Sequence, residues 1–274
     1  MKINIGISPC PNDTFIFEGI YTKKIDTSPF EFEFFFEDVQ TLNQMAKEGH
    51  CDMIKLSYAQ YFHVMNEYVM LRSGGALGMG VGPLFIAKQE FPESSIRQKR
   101  IAIPGFGTTA NFLLNFAYPQ LHNLHEYIFS EIEQAIEKGE VDAGVIIHEN
   151  RFTYKDKGFV LIKDLGNFWE QKTSFPLPLG GIAVRRSFSS SVKQTLNHLI
   201  RKSILYAKSQ QEKLSPFIRY HAQEMNEDVM SQHINLYVNE YSLDVSTAGV
   251  LGVMQMQHIM DIPSQHPQFI ELEK

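Results

Sequence analysis

Apolar and polar residues alternate at the start of the chain in a pattern typical of a β-strand. Residues 3–7 read Ile-Asn-Ile-Gly-Ile, and a cluster of turn-forming residues separates them from the apolar run that begins at Thr14 and Phe15. This order predicts a strand, a loop and a helix. Residues 30–37 place a phenylalanine at every second position, opposite a face rich in glutamate. They predict a second strand with one buried face.

The apolar residues after the second predicted strand are spaced as in an α-helix. Val39, Leu42 and Met45 predict a short amphipathic helix that begins near Asp38 and stops at Gly49. A third strand is predicted after this helix, and the spacing is helical again beyond residue 187. The buried stripe predicted in that long helix consists of Val192, Leu196, Leu199, Ile200 and Leu205.

The same order of elements recurs about ninety residues further along the chain. Residues 2–6 correspond to residues 100–105, and each segment predicts a strand that runs into a loop and a helix. Residues 47–54 align with residues 137–144, since in both a helix ends at glycine and an aspartate follows three positions later. Such a repeat implies two similar building blocks. The sequence therefore predicts an α/β fold with two lobes, each a mostly parallel sheet flanked by helices.

A ligand cleft is expected between the two lobes, because open α/β sheets bind ligands beyond the carboxyl ends of their strands. The loops at those ends are rich in hydrogen-bonding residues. Residues 72–84 and 176–184 are rich in glycine and proline and are candidate crossovers between the lobes. Lobe 1 is accordingly predicted to comprise residues 1–86 and 182–274, and lobe 2 residues 87–181.

Composition narrows the classes of function. The 25 lysines and arginines against 31 aspartates and glutamates give a net charge of −6, which argues against a nucleic-acid partner. Two cysteines are too few for a disulfide framework and indicate a reducing compartment. The N-terminal segment lacks the apolar core of a signal peptide, and no apolar run approaches the roughly 20 residues that span a bilayer. We expect a cytoplasmic protein that does not associate with membranes.

His148 is the strongest candidate for chemistry, because it follows an apolar segment at a predicted strand end and imidazole titrates near neutral pH. A structural histidine at a strand end is the alternative. Lys55 ends the matching strand of the first unit, where an ammonium would attract an anionic ligand. A surface lysine is the alternative there.

Two helix starts are further candidates for ligand binding. Thr108 and Thr109 open a predicted helix whose free N–H groups favour a carboxylate, a role compatible with simple capping. The segment from Asn12 to Thr14 is expected to cap the first helix in the same way. No metal site is predicted, because the ten histidines lack metal-ligand spacing and the His148-Glu149 pair lacks the second histidine of a zinc helix.

Several of these motifs, taken in order along the whole chain, resemble the 1,4-dihydroxy-6-naphthoate synthases of the futalosine route to menaquinone. The opening Ser-Pro-Cys-Pro-Asn-Asp is the most specific of them. The segments that carry the resemblance are residues 8–15, Lys55-Leu56-Ser57, residues 78–84, Pro104-Gly105 with Thr108-Thr109-Ala110, His148-Glu149 with Arg151, and residues 176–181.

The resemblance implies the fold of type II periplasmic binding proteins and a lyase that works without metal or organic cofactor. The implied reaction converts cyclic dehypoxanthinylfutalosinate, a small carboxylate, into 1,4-dihydroxy-6-naphthoate and dihydroxyacetone. His148 matches the family's proton acceptor. The expected substrate-binding residues are Lys55, Leu56, Ser57, Thr108 and Thr109, with Asn12 and Arg151 as candidates for contacts to the carboxylate.

Three other functions remain open. A non-catalytic solute-binding protein would share the two-lobed architecture, although the missing signal peptide argues against it. Chorismate dehydratase of the same pathway would share the fold, but the loop at His148 and the Ser-Pro-Cys-Pro-Asn-Asp opening favour the naphthoate synthase. An interaction module would require a broad exposed apolar patch in place of the cleft. The sequence makes no prediction about the oligomeric state.

Overall fold

Two mixed β-sheets and their surrounding helices make up the computed structural model, which describes residues 1–210, 214–222, 226–263, 266 and 268–271. The strands are β1 (Lys2–Ile7), β2 (Glu31–Phe36), β3 (Met53–Ser57), β4 (Tyr68–Met70), β5 (Ala76–Gly78), β6 (Leu84–Ala87), β7 (Ile101–Ile103), β8 (Leu124–Glu126), β9 (Ala143–Ile146), β10 (Val160–Asp164) and β11 (Leu177–Arg185).

The helices cover both faces of the sheets and form most of the C-terminal third. They are α1 (Pro11–Tyr21), α2 (Val39–Glu48), α3 (Tyr58–Val64), α4 (Thr109–Ala117), α5 (Ile132–Glu137), α6 (Asn150–Thr153), α7 (Leu165–Thr173), α8 (Ser190–Ser209), α9 (Pro216–His221), α10 (Glu227–Tyr237), α11 (Glu240–Leu243) and α12 (Ser246–Ile259).

The first sheet has the strand order β2-β1-β3-β11-β4, and β5 pairs with β11. Strand β1 runs parallel to β2 and β3, whereas β11 runs antiparallel to β3, β4 and β5. The second sheet has the order β10-β6-β9-β7-β8, with β7 parallel to β8 and β9 and with β6 antiparallel to β9 and β10.

The predicted α/β class with mostly parallel sheets is confirmed, and one strand in each sheet, β11 in the first and β6 in the second, runs against the others. Both sheets are mixed because a strand that follows a crossing between the sheets enters its new sheet in the opposite direction. The first crossing lies between β5 and β6, and the second lies between α7 and β11. As a result, one antiparallel strand pairs with the parallel strands of each sheet: β11 pairs with β3 in the first sheet, and β6 pairs with β9 in the second.

Local sequence signals set most of the element boundaries. The Asp38 side chain accepts hydrogen bonds from the amides of Gln40 and Thr41 and caps α2, which ends at Gly49 in the left-handed conformation with φ 71°. The phenylalanine face of β2 is half-buried against the core, as expected. Leu205 departs from the predicted stripe of α8, because it is 47% exposed and Ile204 is buried in its place.

Helix α1 starts earlier than the sequence suggested. Its first residue is Pro11 and its N-cap is Cys10, which makes no side-chain capping bond. The segment from Asn12 to Thr14 therefore lies inside the first turn, and the expectation that it caps the helix is wrong. A proline at the first helical position explains the shift, because its missing N–H and fixed φ suit that position.

One apolar cluster connects the two sheets. It includes Ile54 of β3, Phe85 of β6, Leu113 of α4, Val145 of β9 and Trp169 of α7, all of them fully buried. The same region contains a tight backbone contact, because a β-carbon on Gly82 would lie 2.1 Å from the Cα of Gly166. Only glycine allows the first crossing to approach α7 this closely.

The predicted lobe boundaries remain a prediction. The first sheet takes its strands from residues 2–78 and 177–185, and the second from residues 84–164. Residues 264, 265, 267 and 272–274 of predicted lobe 1 lie outside the described residues, as do 211–213 and 223–225. Among the described residues, no helix combines the length and the apolar character needed to cross a bilayer.

Replacing Asp38 by alanine is expected to lower the free energy of unfolding by about 1 kcal/mol, because the first amides of α2 lose their acceptor. Asp38→Asn keeps an acceptor oxygen at the same position and is the control. Urea unfolding followed by circular dichroism measures both. Equal losses in the two variants would show that capping is not what Asp38 contributes.

Candidate active site

A cleft lies between the two sheets at the predicted strand ends. The space between its walls, including its opening to solvent, is about 690 Å³. Its walls combine polar groups with a larger apolar surface. The lining residues are Ser8, Asn12, Asp13, Val39, Leu42, Lys55, Leu56, Ser57, Ala76, Val81, Pro83, Thr108, Thr109, Ala110, Ile147, His148, Leu179, Gly180 and Tyr237.

A buried ion pair forms the floor of this cleft. Lys55, near the end of β3, donates to the carboxylate of Asp13 in the first turn of α1, and both side chains are more than nine-tenths buried. The Ser8 hydroxyl also donates to Asp13 at 2.7 Å, and the Asn12 amide donates at 2.9 Å. A buried charge needs such partners because it has lost its water.

His148 lies in the turn after β9 and faces the cleft. Its φ of 57° is uncommon for a residue with a side chain, and conformations of this kind cluster at functional sites. Its ring packs edge-on against Phe129, with centroids 4.8 Å apart, and stacks on His233 at 5.8 Å.

Burial keeps the His148 imidazole neutral. Loss of hydration lowers the pKa of His148 to about 4; the Asp13 carboxylate opposes this shift and the Lys55 ammonium reinforces it. At neutral pH the ring therefore carries a free lone pair. A neutral imidazole at the wall of a cleft can accept a proton from a bound molecule.

A second histidine packs against the ring of His148. His233 of α10 is completely buried, and its Nε2 lies 2.8 Å from Asn12 Oδ1. Since the Asn12 amide group donates to Asp13, its oxygen accepts from His233. Burial holds the pKa of His233 well below its ordinary value, and its Nδ1 lies 3.9 Å from the Glu149 carboxylate.

The predicted substrate-binding residues mostly meet in this cleft. Asn12, Lys55, Leu56, Ser57, Thr108 and Thr109 all line it together with His148. The Thr108 hydroxyl accepts from the amide of Asn111 and caps α4, as expected, and it donates to the carbonyl of Gly105 at 2.7 Å. The Thr109 hydroxyl donates to the carbonyl of Leu179 at 2.8 Å.

The Ser57 hydroxyl is more available to a ligand than those of Thr108 and Thr109, which donate to protein carbonyl groups. Its oxygen accepts from the Asn43 amide group at 3.2 Å, and its backbone N–H donates to the Asn43 oxygen at 3.0 Å. Two bonds to one asparagine fix the position of the serine. Its hydroxyl proton can turn toward a ligand in the cleft.

Arg151 is the one predicted site residue that is not part of the cleft lining. It donates to the carbonyl of Gly82 at 2.8 Å, at the first crossing between the sheets. It also lies beside the Tyr237 phenol, where it offsets part of the rise in the Tyr237 pKa that burial causes. Its contacts are with the crossing and with α10.

Some residues of the site carried no sequence signal. Tyr237 and His233 belong to α10, far along the chain from the repeat that predicted the cleft. Asp13 was predicted as a possible cap and as one of the polar residues in the loop after the first strand, but its ion pair with Lys55 was not predicted. A donor set for a cation also converges here, because single donor atoms of Cys10, His148 and Glu149 all lie within 4.8 Å of one another.

Comparison with known proteins identifies the family. Residues 3–261 match the family model described as menaquinone biosynthesis. A relative from Thermus thermophilus, named 1,4-dihydroxy-6-naphthoate synthase, is 42% identical over 273 residues, which cover 98% of this chain and 99% of the relative. The chain belongs to the menaquinone biosynthesis family. A second similar protein of the menaquinone biosynthesis family, from Streptomyces coelicolor, bears the same name and is 36% identical, covering 92% of this chain and 90% of its own.

Solved structures show which fold this member of the menaquinone biosynthesis family has. A crystal structure of a protein from Archaeoglobus fulgidus is 31% identical and has a TM-score of 0.87, covering 96% of this chain and 98% of that one. A Candida albicans protein described as having the generic periplasmic-binding-protein fold has a TM-score of 0.70 at 11% identity, covering 100% and 99%. The predicted periplasmic-binding-protein-like fold is confirmed.

Replacing Asp13 by asparagine is expected to destabilise the protein by about 3–5 kcal/mol, because Lys55 then keeps a buried charge without its counter-ion. Urea unfolding measures the loss. The matched control is Glu33→Gln, which breaks the exposed 2.7 Å pair between Lys2 and Glu33 and should change stability little. If the two variants lose the same stability, the buried pair does not support the fold.

Proposed function

We propose that this protein converts cyclic dehypoxanthinylfutalosinate into 1,4-dihydroxy-6-naphthoate and dihydroxyacetone in the cytoplasm, as a carbon–carbon lyase with His148 as its general base. The observation that carries the proposal is the placement of a neutral imidazole at the wall of a partly apolar cleft. The names of the two relatives support the product, since both are 1,4-dihydroxy-6-naphthoate synthases. The resemblance in the sequence motifs supports the substrate.

The reaction begins when His148 removes the acidic proton next to the substrate's carbonyl group. The electron pair left on carbon forms a new double bond as the bond to the sugar-derived fragment breaks, and the fragment takes the electrons of that bond and the proton returned by His148. This fragment leaves as dihydroxyacetone, and the ring that remains becomes aromatic. Formation of the aromatic ring makes the overall reaction favourable.

The hydrogen-bond donors around the cleft are suited to the negative charges of the substrate carboxylate and of the oxyanion that the reaction creates. Thr109 and Ala110 contribute the first two amides of α4, which have no acceptor within the helix and so favour a carboxylate. Lys55 uses one of its three N–H donors on Asp13, and the Ser57 hydroxyl is held by Asn43. We assign the substrate carboxylate to the start of α4, and the developing oxyanion to Lys55 and Ser57.

Apolar residues complete the pocket around these donors. Leu56, Val81 and Leu179 line the same cleft. They exclude water from the ligand, which strengthens each hydrogen bond to a developing charge. Binding of the aromatic part of the substrate against this surface would also release water from apolar area.

His148→Ala is expected to reduce the turnover number by a factor of about 10²–10⁴, with substrate binding retained, because only the proton acceptor is removed. Product formation is followed by liquid chromatography, and binding by calorimetry. His122→Ala, which removes an exposed histidine, is the control and should leave turnover unchanged.

Other outcomes would replace the proposal. A parent protein that binds the substrate without converting it would be a solute-binding protein. A parent protein that neither binds nor converts it should then be assayed with chorismate, because chorismate dehydratase shares the fold. Full turnover in His148→Ala would leave the lyase in place but remove the histidine from the mechanism.

The pH dependence follows from the burial of His148. The ratio kcat/KM, measured in chelator-treated buffer, should be constant near neutral pH and fall at acid pH with an apparent pKa of about 4, because only the neutral imidazole accepts a proton. Circular dichroism at each pH checks that the protein is still folded. An acid limb at the ordinary imidazole value of about 6.5 would show that His148 is hydrated in the working enzyme.

A further inference from the structure

We propose that the back of the cleft is a zinc-binding site formed by the Cys10 thiolate, a ring nitrogen of His148 and the Glu149 carboxylate. One donor atom from each residue lies within 4.8 Å of the other two. Tetrahedral zinc with bonds of about 2.0–2.3 Å holds its donors about 3.3–3.6 Å apart. Side-chain rotations that move the donors by about 1 Å therefore close the set around one ion.

The chemistry of the three donors favours zinc among the common divalent ions. Thiolate and imidazole are ligands that zinc prefers, whereas calcium and magnesium prefer sets made of oxygen alone. One thiolate and one carboxylate balance the two charges of the ion. The complex is electrically neutral, which reduces the cost of forming it where Cys10 and Glu149 are buried. Three protein donors leave one coordination position for a water molecule.

The backbone holds the donors in place from two sides. Cys10 is the N-cap of α1 and stands between Pro9 and Pro11, and its carbonyl accepts from the amides of Asp13 and Thr14. His148 and Glu149 are neighbours in the turn after β9. One ion would therefore join the start of the first sheet's helix to the strand end of the second sheet.

A separate observation points to the same place. His233 is completely buried, and its Nδ1 has no hydrogen-bond partner among the described residues. This nitrogen lies 3.9 Å from a carboxylate oxygen of Glu149, and the ring stacks on His148. An acceptor nitrogen without a donor is costly in a buried position. Water bound to the zinc ion would donate a hydrogen bond to it and complete the coordination shell.

Zinc at this site would act as an inhibitor, a consequence that depends on the proposed function of His148. Binding replaces the proton of the Cys10 thiol, which passes to solvent, and no atom is oxidised or reduced. The His148 lone pair that would take the substrate's proton is then bonded to the metal. The protein would be active without metal and switched off by zinc.

Metal binding is tested without reference to activity. The chelator-treated full-length protein is titrated with Zn²⁺ by calorimetry, and with Co²⁺ by absorption spectroscopy, where a thiolate ligand gives a charge-transfer band. We expect one ion per chain and a cobalt–thiolate band. Cys10→Ala should abolish the band and weaken zinc binding by at least about a hundredfold, since even changes beyond the direct ligands cost about 10- to 100-fold.

Cys51→Ala is the matched control, because Cys51 is the chain's other cysteine and is also a buried free thiol. It should keep both the band and the affinity. Equal affinity in the Cys10→Ala and Cys51→Ala variants, or a parent protein without the band, would overturn the proposal. If Cys10→Ala does not fold, Cys10→Ser takes its place, and the band of the parent protein is decisive in either case.

The activity assay then separates this inference from the proposed function. Zinc should inhibit turnover of the parent and of Cys51→Ala, with full recovery after chelation, and Cys10→Ala should resist it. A parent protein that shows the cobalt–thiolate band but no turnover would retain the metal site and lose the proposed reaction. Full turnover at a zinc concentration that saturates the calorimetric site would overturn the inhibitory role.

Discussion

The buried ion pair between Lys55 and Asp13 is the interaction around which the site is organised. It joins the end of β3 to the first turn of α1, and each charge is stable there only because the other is present. From Asp13 the hydrogen bonds continue through Asn12 to His233, whose ring stacks on His148. The requirement to compensate one buried ammonium thus fixes a chain of side chains that ends at the proposed base.

The same burial explains why one place suits both a base and a metal ligand. Partial burial lowers the pKa of the imidazole, and a neutral ring can give its lone pair to a carbon-bound proton or to a cation. The Cys10 thiol beside it is held protonated by the same lack of water, since burial raises its pKa well above the ordinary value. Catalysis and inhibition by metal would then be two results of one partly buried environment.

Much of this arrangement could be predicted from sequence, because it depends on short-range patterns. Gly49 and Gly139 marked equivalent helix ends, and Lys55 and His148 stood at the ends of the strands that follow them. The loops after parallel strands share one edge of a sheet, so the cleft and most of its polar lining followed. Thr108 was recognisable as a cap from its position before an apolar run.

Other features depend on contacts that no spacing reveals. Asp13 was assigned to a cap because Pro11 had not been recognised as the first helical residue, and its ion pair with Lys55 joins distant segments. His233 reaches Asn12 from a helix near the other end of the chain. The two reversed strands could not be located from sequence for a similar reason, since β6 and β11 take their direction from the crossings and not from their own residues.

The position of α10 in the chain has a consequence for synthesis. Both sheets are complete once the ribosome has made β11, yet the wall of the cleft still lacks Tyr237 and the histidine stack still lacks His233. A nascent chain therefore contains every strand of both sheets before it contains all the residues of the cleft. Any molecule later held in the cleft contacts the first helix and α10 together, and so opposes the local opening of α10.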